Sequence, residues 1–445
     1  MTNGAPYHGR RFALLPSLLC RHIDIVQIMP CRIRSSLTSR RTTQCRRHIH
    51  RRPEEGWTEF ETTWFIHETL SEMGYKTRVG IEVVEPEAAM GRHEGLVEAA
   101  QARALAAGVP EAFLERCHGW TGVVTDLVTR RPGPLTVLRF EIDCVVVEES
   151  HEVGHRPFDE GFASTCPGFM HSCGHDIHTA TGLTIARWCM THREDLVGTV
   201  RFVFQPAEEG VRGARAMIAK GWAKGADYLW TQHITTSIKE NEIFASRGGF
   251  LATAKLDVTF DGATPYGDAV TAAANAALQM LALPRHPDGA SRICVGTLNA
   301  QGAHATMQTE VRGATQTVAD YMEEGVRRAA KSCADMVGVA SKVTLAGRAE
   351  CLVPCAAAGD LIERLAKAIP NVTVTEDRTR GSDDSTLWMN AVVRDGGMAG
   401  CFHYGARGRN GLHTSTFDAD GEDVILPALE LTARLILENH QKTSY

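Results

Sequence analysis

Hydrophobic residues recur along this chain at two spacings, and the changes between them predict its elements. Phe60, Trp64, Phe65 and Leu70 recur at helical spacing over residues 59–73, and Gly74 ends the run. Residues 91–108 are Ala-rich with mixed charge and predict a surface helix. Apolar runs at 122–128 and 135–143 flank the turn sequence Arg131-Pro132-Gly133-Pro134 and predict strands. A helix at 178–191, a strand at 198–205 ending at Pro206, a helix at 213–221 and a strand at 228–233 follow. Strands alternating with helices predict an α/β layer around a mainly parallel sheet.

The period shifts after Gly248-Gly249. Residues 251–260 alternate apolar and polar side chains, as an antiparallel strand with one wet face does. A helix at 270–283, strands at 293–298 and 306–312 and a helix at 317–337 complete the order of a small α+β module. Helix and strand pairs resume from Gly359, and a helix at 426–438 closes the pattern. The expected organisation is an α/β domain formed by 46–249 and 346–445, interrupted by an α+β insert at 250–345 and preceded by a basic extension at 1–45.

Composition narrows this picture. A chain of 445 residues has material for two or three domains, and 43% hydrophobic with 22% charged residues excludes a mainly disordered or fibrous protein. No apolar run reaches the roughly 18 residues of a membrane span, so no membrane partner is expected. Thirteen cysteines, an odd number scattered along the chain, argue for a reducing compartment, so the expected location is the cytoplasm. The charge is uneven. Residues 1–52 hold 11 Arg, no Lys and one acid, while the rest holds 36 basic and 52 acidic residues. The Arg-rich start suits a mitochondrial targeting segment and equally an unstructured tail. The acidic remainder argues against a nucleic-acid partner.

Four motifs carry candidate chemistry. In Met170-His-Ser-Cys-Gly-His-Asp-Ile-His-Thr179, Cys173 and His175 flank Gly174, and thiolate and imidazole both suit a metal such as zinc. Asp176 is placed to orient one of them. A polar loop with a buried cysteine has the same composition. In Phe204-Gln-Pro-Ala-Glu-Glu-Gly210, two adjacent carboxylates follow an apolar strand, at the edge where α/β active sites lie. Their side chains leave in different directions, so one suits a metal and the other a proton; a solvated acidic turn is the plainer reading. His233 ends a short strand, and His413 follows the Gly-rich stretch 405–411. A lone histidine is more often a satisfied core or surface residue. Cys173, His175, Glu209, His233 and His413 together are enough ligands for a two-metal site.

These residues, in this order, resemble the M20 family of metallopeptidases and amidohydrolases, specifically its aminoacylase-like branch. The resemblance spans roughly 46–440. It includes Arg46-Arg47-His48-Ile49-His50, Gly119-Trp-Thr-Gly122, the run 155–164, Arg212-Gly-Ala-Arg-Ala-Met217, Gly289-Ala-Ser-Arg292 and Gly381-Ser-Asp-Asp384. It implies a zinc-peptidase-like α/β catalytic domain with an inserted lid that also dimerises or pairs with another subunit. It implies two divalent ions, Zn or Mn, on Cys173, His175, Glu209, His233 and His413, with Glu208 as general base. It implies hydrolysis of the amide bond in p-aminobenzoyl-glutamate or another N-acyl amino acid, with Gly381 and Ser382 lining the substrate pocket. Two departures stand out. The lid reads Phe260-Asp-Gly-Ala-Thr-Pro-Tyr-Gly267 where the family carries an Ala-His-Ala-Gly motif, and Gln301-Gly-Ala-His-Ala305 enters the next strand without the family's Arg-Asn segment. This shortened lid raises the alternative of a non-catalytic relative serving as a structural or regulatory partner, and Ile177, in place of a small residue, is expected to crowd the metal loop.

Overall fold

The computed structural model describes residues 40–406, 410–419 and 421–441. The targeting or unstructured segment expected at the N-terminus lies outside the described residues up to residue 39. Residues Arg40–His50 form a helix, so the last residues of the stretch read as an extension belong to a described element.

In chain order the helices are α1 (Arg40–His50), α2 (Phe60–Glu72), α3 (Glu94–Ala106), α4 (Glu111–Cys117), α5 (His175–Thr191), α6 (Ala214–Ala219), α7 (Ala269–Leu281), α8 (Gln316–Val337), α9 (Ala356–Lys367), α10 (Ser385–Arg394) and α11 (Glu422–His440). The strands are β1 (Thr77–Val79), β2 (Val123–Val128), β3 (Leu135–Glu141), β4 (Thr199–Gln205), β5 (Tyr228–Thr235), β6 (Glu242–Ala245), β7 (Ala252–Asp261), β8 (Ser291–Gln301), β9 (His304–Gly313), β10 (Ala340–Ala349), β11 (Thr373–Val374) and β12 (Met398–Gly405).

Eight strands form one sheet in the order β1-β2-β4-β3-β5-β12-β6-β11. Its central block, β4-β3-β5-β12, is parallel throughout, while β1, β2 and β6 pair antiparallel around it. The central strands are buried on both faces and correspondingly apolar: Val200, Phe202, Val203 and Phe204 of β4 are all fully buried. One face packs the larger core, with Phe60, Ile66, Leu183 and Leu435 from α2, α5 and α11; the other packs Met217, Trp388 and Val392 from α6 and α10.

β7 to β10 form a second, antiparallel sheet in the order β8-β9-β7-β10. Along β7 buried and half-buried residues alternate, as the sequence pattern predicts. Its inner side chains, Leu256, Val258 and Phe260, pack on Ala-rich α7 and on Met322 and Val326 of α8. Strand β10, the sheet's fourth, has no counterpart in the hydrophobic pattern, because its burial is confined to Gly347 and its far end. It docks the insert on the larger unit: Arg348 N donates to Val211 O at 3.1 Å, and Gly347 passes so close to Gly210 O that a Cβ there would sit 1.9 Å away. Among the described residues no helix is long and apolar enough to cross a membrane.

Candidate metal centre

The carboxyl ends of the four adjacent parallel strands carry the chemistry. Asp143 lies two residues past β3, Glu208 and Glu209 follow β4, His233 sits near the end of β5, and His413 lies on the loop after β12. An open sheet leaves a crevice at this edge, where side chains from successive loops converge.

Local backbone features aim them. Gly174 takes a left-handed φ of 82° and caps α5, which begins at His175, three residues before the start read from the sequence. That puts His175 and Asp176 in the first helical turn, and a Cβ on Gly174 would lie 2.6 Å from Ile234 Cγ2. After β4 the chain folds back on itself: a Cβ on Gly213 would meet Pro206 O at 1.8 Å. The His413 loop is pinned by His413 N donating to Ser172 O at 2.9 Å.

All six chemically marked residues converge. Three sets hold their ligand atoms within 4.8 Å of one another: Cys173, His175 and His233; Cys173, Glu209 and His413; His175, Glu208 and Glu209. Cys173 Sγ lies 3.5 Å from His233 Nε2, His413 Nε2 lies 3.3 Å from Glu209 Oε1, and His175 Nε2 lies 3.8 Å from Glu208 Oε2. Cys173, Glu208, Glu209, His233 and His413 line a cavity of about 520 Å3, with fully buried His175 beneath it. Gly381 and Ser382 line it too, but with backbone and hydroxyl engaged: Leu251 N donates to Gly381 O, and Ser382 Oγ donates to Leu251 O, both at 2.9 Å.

The orienting carboxylate is Asp143, not Asp176. His175 Nδ1 donates to Asp143 O at 2.9 Å and lies 3.2 Å from its Oδ1, while Glu209 N donates to Asp143 Oδ2 at 2.8 Å. Asp176 turns the other way, to Arg46 and His50 at 2.7 and 2.8 Å, because the helix start carries its side chain toward α1. Asp143 escaped notice for want of a motif; its place just past an apolar strand was the available signal. His178 is scaffold as well. Ile234 N donates to its Nε2 and its Nδ1 donates to Glu141, whose second partner is the buried Arg139. His304, from the altered lid segment, sits at the tip of the β8–β9 hairpin beside Asp261, exposed and outside the cavity lining. Ile177 is accommodated in the core.

The electrostatics favour a cation. His175 Nε2 is buried with no hydrogen-bond partner, although such an orphan costs about 1–3 kcal/mol. Since Nδ1 donates to a carbonyl, Nε2 of the neutral ring presents its lone pair. Burial opposes a proton on His175, yet the hydrogen bond and charge of Asp143, with Glu141 and Glu209, raise its pKa to about 9. Surroundings that attract a proton there attract a metal ion equally. Burial raises Glu209, but the hydrogen bond and charge of His413 bring it down to about 2. Burial and the neighbouring Asp383, Glu209 and Asp384 hold Glu208 well above the usual carboxylate range. Burial and the charge of His178 depress His233 to about 4, keeping its imidazole neutral. Two carboxylates, three imidazoles and a thiol around one cavity suit a divalent metal.

Comparison with known proteins gives the family of the chain. Residues 137–438 match the model of peptidase family M20/M25/M40. Indole-3-acetyl-aspartic acid hydrolase of Enterobacter agglomerans is 36% identical over 410 residues, 88% of this chain and 94% of that protein. A p-aminobenzoyl-glutamate hydrolase subunit of Escherichia coli (strain K12) is 34% identical over 411 residues, with the same coverage of 88% and 94%. The crystal structure of the aminobenzoyl-glutamate utilization protein from Klebsiella pneumoniae superposes with a TM-score of 0.75 at 30% identity, covering 93% of this chain and 98% of that one.

Proposed function

Because this chain belongs to peptidase family M20/M25/M40 and is a hydrolase of that family, we propose that it cleaves the amide bond of an N-acyl amino acid, p-aminobenzoyl-glutamate foremost, with one or two divalent metal ions as cofactor. The observation that carries this reading is the convergence of Cys173, His175, Glu209, His233 and His413 around one cavity with Glu208 on its wall.

Cys173, His175, Glu209, His233 and His413 would hold the metal, Zn or Mn. When bound, it supplies Lewis acidity, which polarises a carbonyl and makes water a stronger acid. Asp143 fixes the ring of His175 and the backbone of Glu209, which orients one ligand side chain and anchors the loop that carries another. Glu208 is the proton carrier. It takes the proton of the attacking water on its carboxylate and delivers it to the leaving nitrogen. The surroundings that raise its pKa favour the protonated form needed for that second step, and a bound cation nearby favours the carboxylate needed for the first. A second cavity, about 370 Å3 with Val145, Val146 and Leu256 in its wall, meets the first at Glu209 and Gly210 and offers room for the acyl group. The two relatives named for their substrates act on an aminobenzoyl and an indole-acetyl conjugate, both aromatic acyl amino acids. The edge strand β8 leaves one side of the lid sheet open, which fits pairing with a second copy or a different subunit.

The test is hydrolysis of p-aminobenzoyl-glutamate, indole-3-acetyl-aspartate and a panel of N-acyl amino acids by metal-loaded protein, beside Glu208→Gln. Turnover lost in Glu208→Gln with metal content unchanged supports the reading. Metal bound with no turnover of any conjugate by the wild type overturns it and identifies a non-catalytic relative.

A further inference from the structure

The larger cavity is lined by four cations as well as by the carboxylates of Glu208, Glu209, Glu310 and Asp383. Lys255 of β7 and Arg312 of β9 reach into it from the lid, and Arg378 and Arg380 reach into it from the segment before α10. Among the described residues one carboxylate lies within ion-pair distance of any of these four cations, since Asp383 faces Arg139 instead. Glu310, which pairs with Lys255 across the β7–β9 register, lies 3.0 Å from Lys255 Nζ and 2.6 Å from Arg312 Nε.

Arg378 and Arg380 differ from the lid pair. Both donate to backbone carbonyls: Arg378 to Ser237 O at 3.0 Å and Arg380 to Thr379 O at 2.6 Å. Neither lies within 4 Å of an acidic side chain among the described residues. Other surface arginines do have such partners, such as Arg247 with Asp360 and Glu363, Arg364 with Glu438, and Arg394 with Glu350, while Arg103, Arg130 and Arg285, which line no described cavity, do not. The body of the chain carries a clear acidic excess. What distinguishes Arg378 and Arg380 is their place: two guanidinium groups without carboxylates, two residues apart on one segment, line the same cavity as the candidate metal ligands.

The segment is also held in place. Asp377 accepts backbone N–H bonds from Arg247, Gly248 and Thr379 at 2.9, 3.2 and 2.8 Å, tying it to the entrance of the lid. Thr379 Oγ1 and His403 Nδ1 both lie within 3.0 Å of Ser246 Oγ. The arginines thus project from an anchored backbone.

We propose that Arg378 and Arg380 bind the side-chain carboxylate of the substrate's amino acid and select conjugates of glutamate and aspartate over those of neutral amino acids. This rests on the hydrolase reading above and adds the chemistry of the leaving group. Every N-acyl amino acid brings one carboxylate, for which the lid cations beside Glu310 suffice. A second carboxylate is what the two remaining guanidinium groups require. Their planar donors suit a carboxylate's two oxygens. An analogue that replaces the carboxylate with an amide keeps shape and size and loses the charge.

The test compares p-aminobenzoyl-glutamate with p-aminobenzoyl-glutamine, by equilibrium binding to metal-loaded Glu208→Gln and by kcat/KM on the otherwise native chain. The proposal expects tighter binding of the glutamate conjugate, by about tenfold or more, weakening as salt rises. Arg378→Ala/Arg380→Ala brings the ratio of the two conjugates close to one, and Arg378→Lys/Arg380→Lys retains part of it. A wild-type ratio near one, or a ratio unchanged in the alanine pair, overturns the proposal. The two readings separate. A charge preference in binding without turnover by the native chain removes the hydrolase reading and leaves the arginine assignment; turnover without the preference does the reverse.

Discussion

Arg46→Met puts the link between the N-terminal helix and the metal loop to a quantitative test. Arg46 has no exposed surface, and its Nε donates to the equally buried Asp176 at 2.7 Å. Removing one partner of a buried ion pair costs about 3–5 kcal/mol, because the other charge stays in low dielectric. Asp176 would keep two contacts, His50 Nδ1 at 2.8 Å and Ile177 N at 2.9 Å, which places the loss near the lower limit, about 3 kcal/mol. An unfolding entropy of about 2.1 cal/mol/K per residue over some 400 ordered residues gives roughly 0.85 kcal/mol/K, so the expected fall in Tm is about 3–4 °C. Differential scanning calorimetry of Arg46→Met, Asp176→Asn and the double variant measures it. The double variant is expected to lose clearly less than the sum of the singles, since it removes both charges of the pair together. A change below about 1 °C for Arg46→Met, or strict additivity, refutes the argument.

Two further outcomes follow from the polar contacts. Asp143→Asn keeps the size of the residue that holds His175 and Glu209 but removes its charge, so metal affinity falls about 10- to 100-fold, read by competition with a chelator; unchanged affinity removes Asp143 from the assignment. Burial raises Glu149, but the hydrogen bonds of His155 and His50 outweigh it and lower its pKa to about 2. A folded pKa below the unfolded one means stability fully present above the ordinary carboxylate value and lost as pH falls through about 2. The Tm gap between wild type and Glu149→Gln is therefore expected to be widest at pH 6 and to shrink steadily toward pH 2; a gap independent of pH contradicts it.

Much of this protein is legible along the chain because the signals are local. Strand and helix periods depend on neighbours two to four residues apart, so β3, β4, β5, β7 and α8 stand out without a partner in view. Cys173, His175, Glu208 and Glu209 stand out as clustered donor types, although each motif alone also fits a polar loop or a solvated acidic turn, and their order along the chain is what carries the family resemblance. Strand β10 escapes notice because its alternation is short, with Val343 and Leu345 as its large apolar residues, both only partly buried on the insert's core. Tertiary structure decided what depends on pairing across distance. Arg46 belongs to a stretch the resemblance covers, but nothing in the sequence says that α1 sets it against Asp176, 130 residues away. Asp176 reads as an orienting residue until the early start of α5 turns it from the cavity and leaves that task to Asp143. Arg378 and Arg380 have no motif at all; they acquire meaning only because the lid and the larger sheet enclose one space between them. Side-chain type and local period are properties of sequence, whereas the worth of a charge depends on what else is buried beside it.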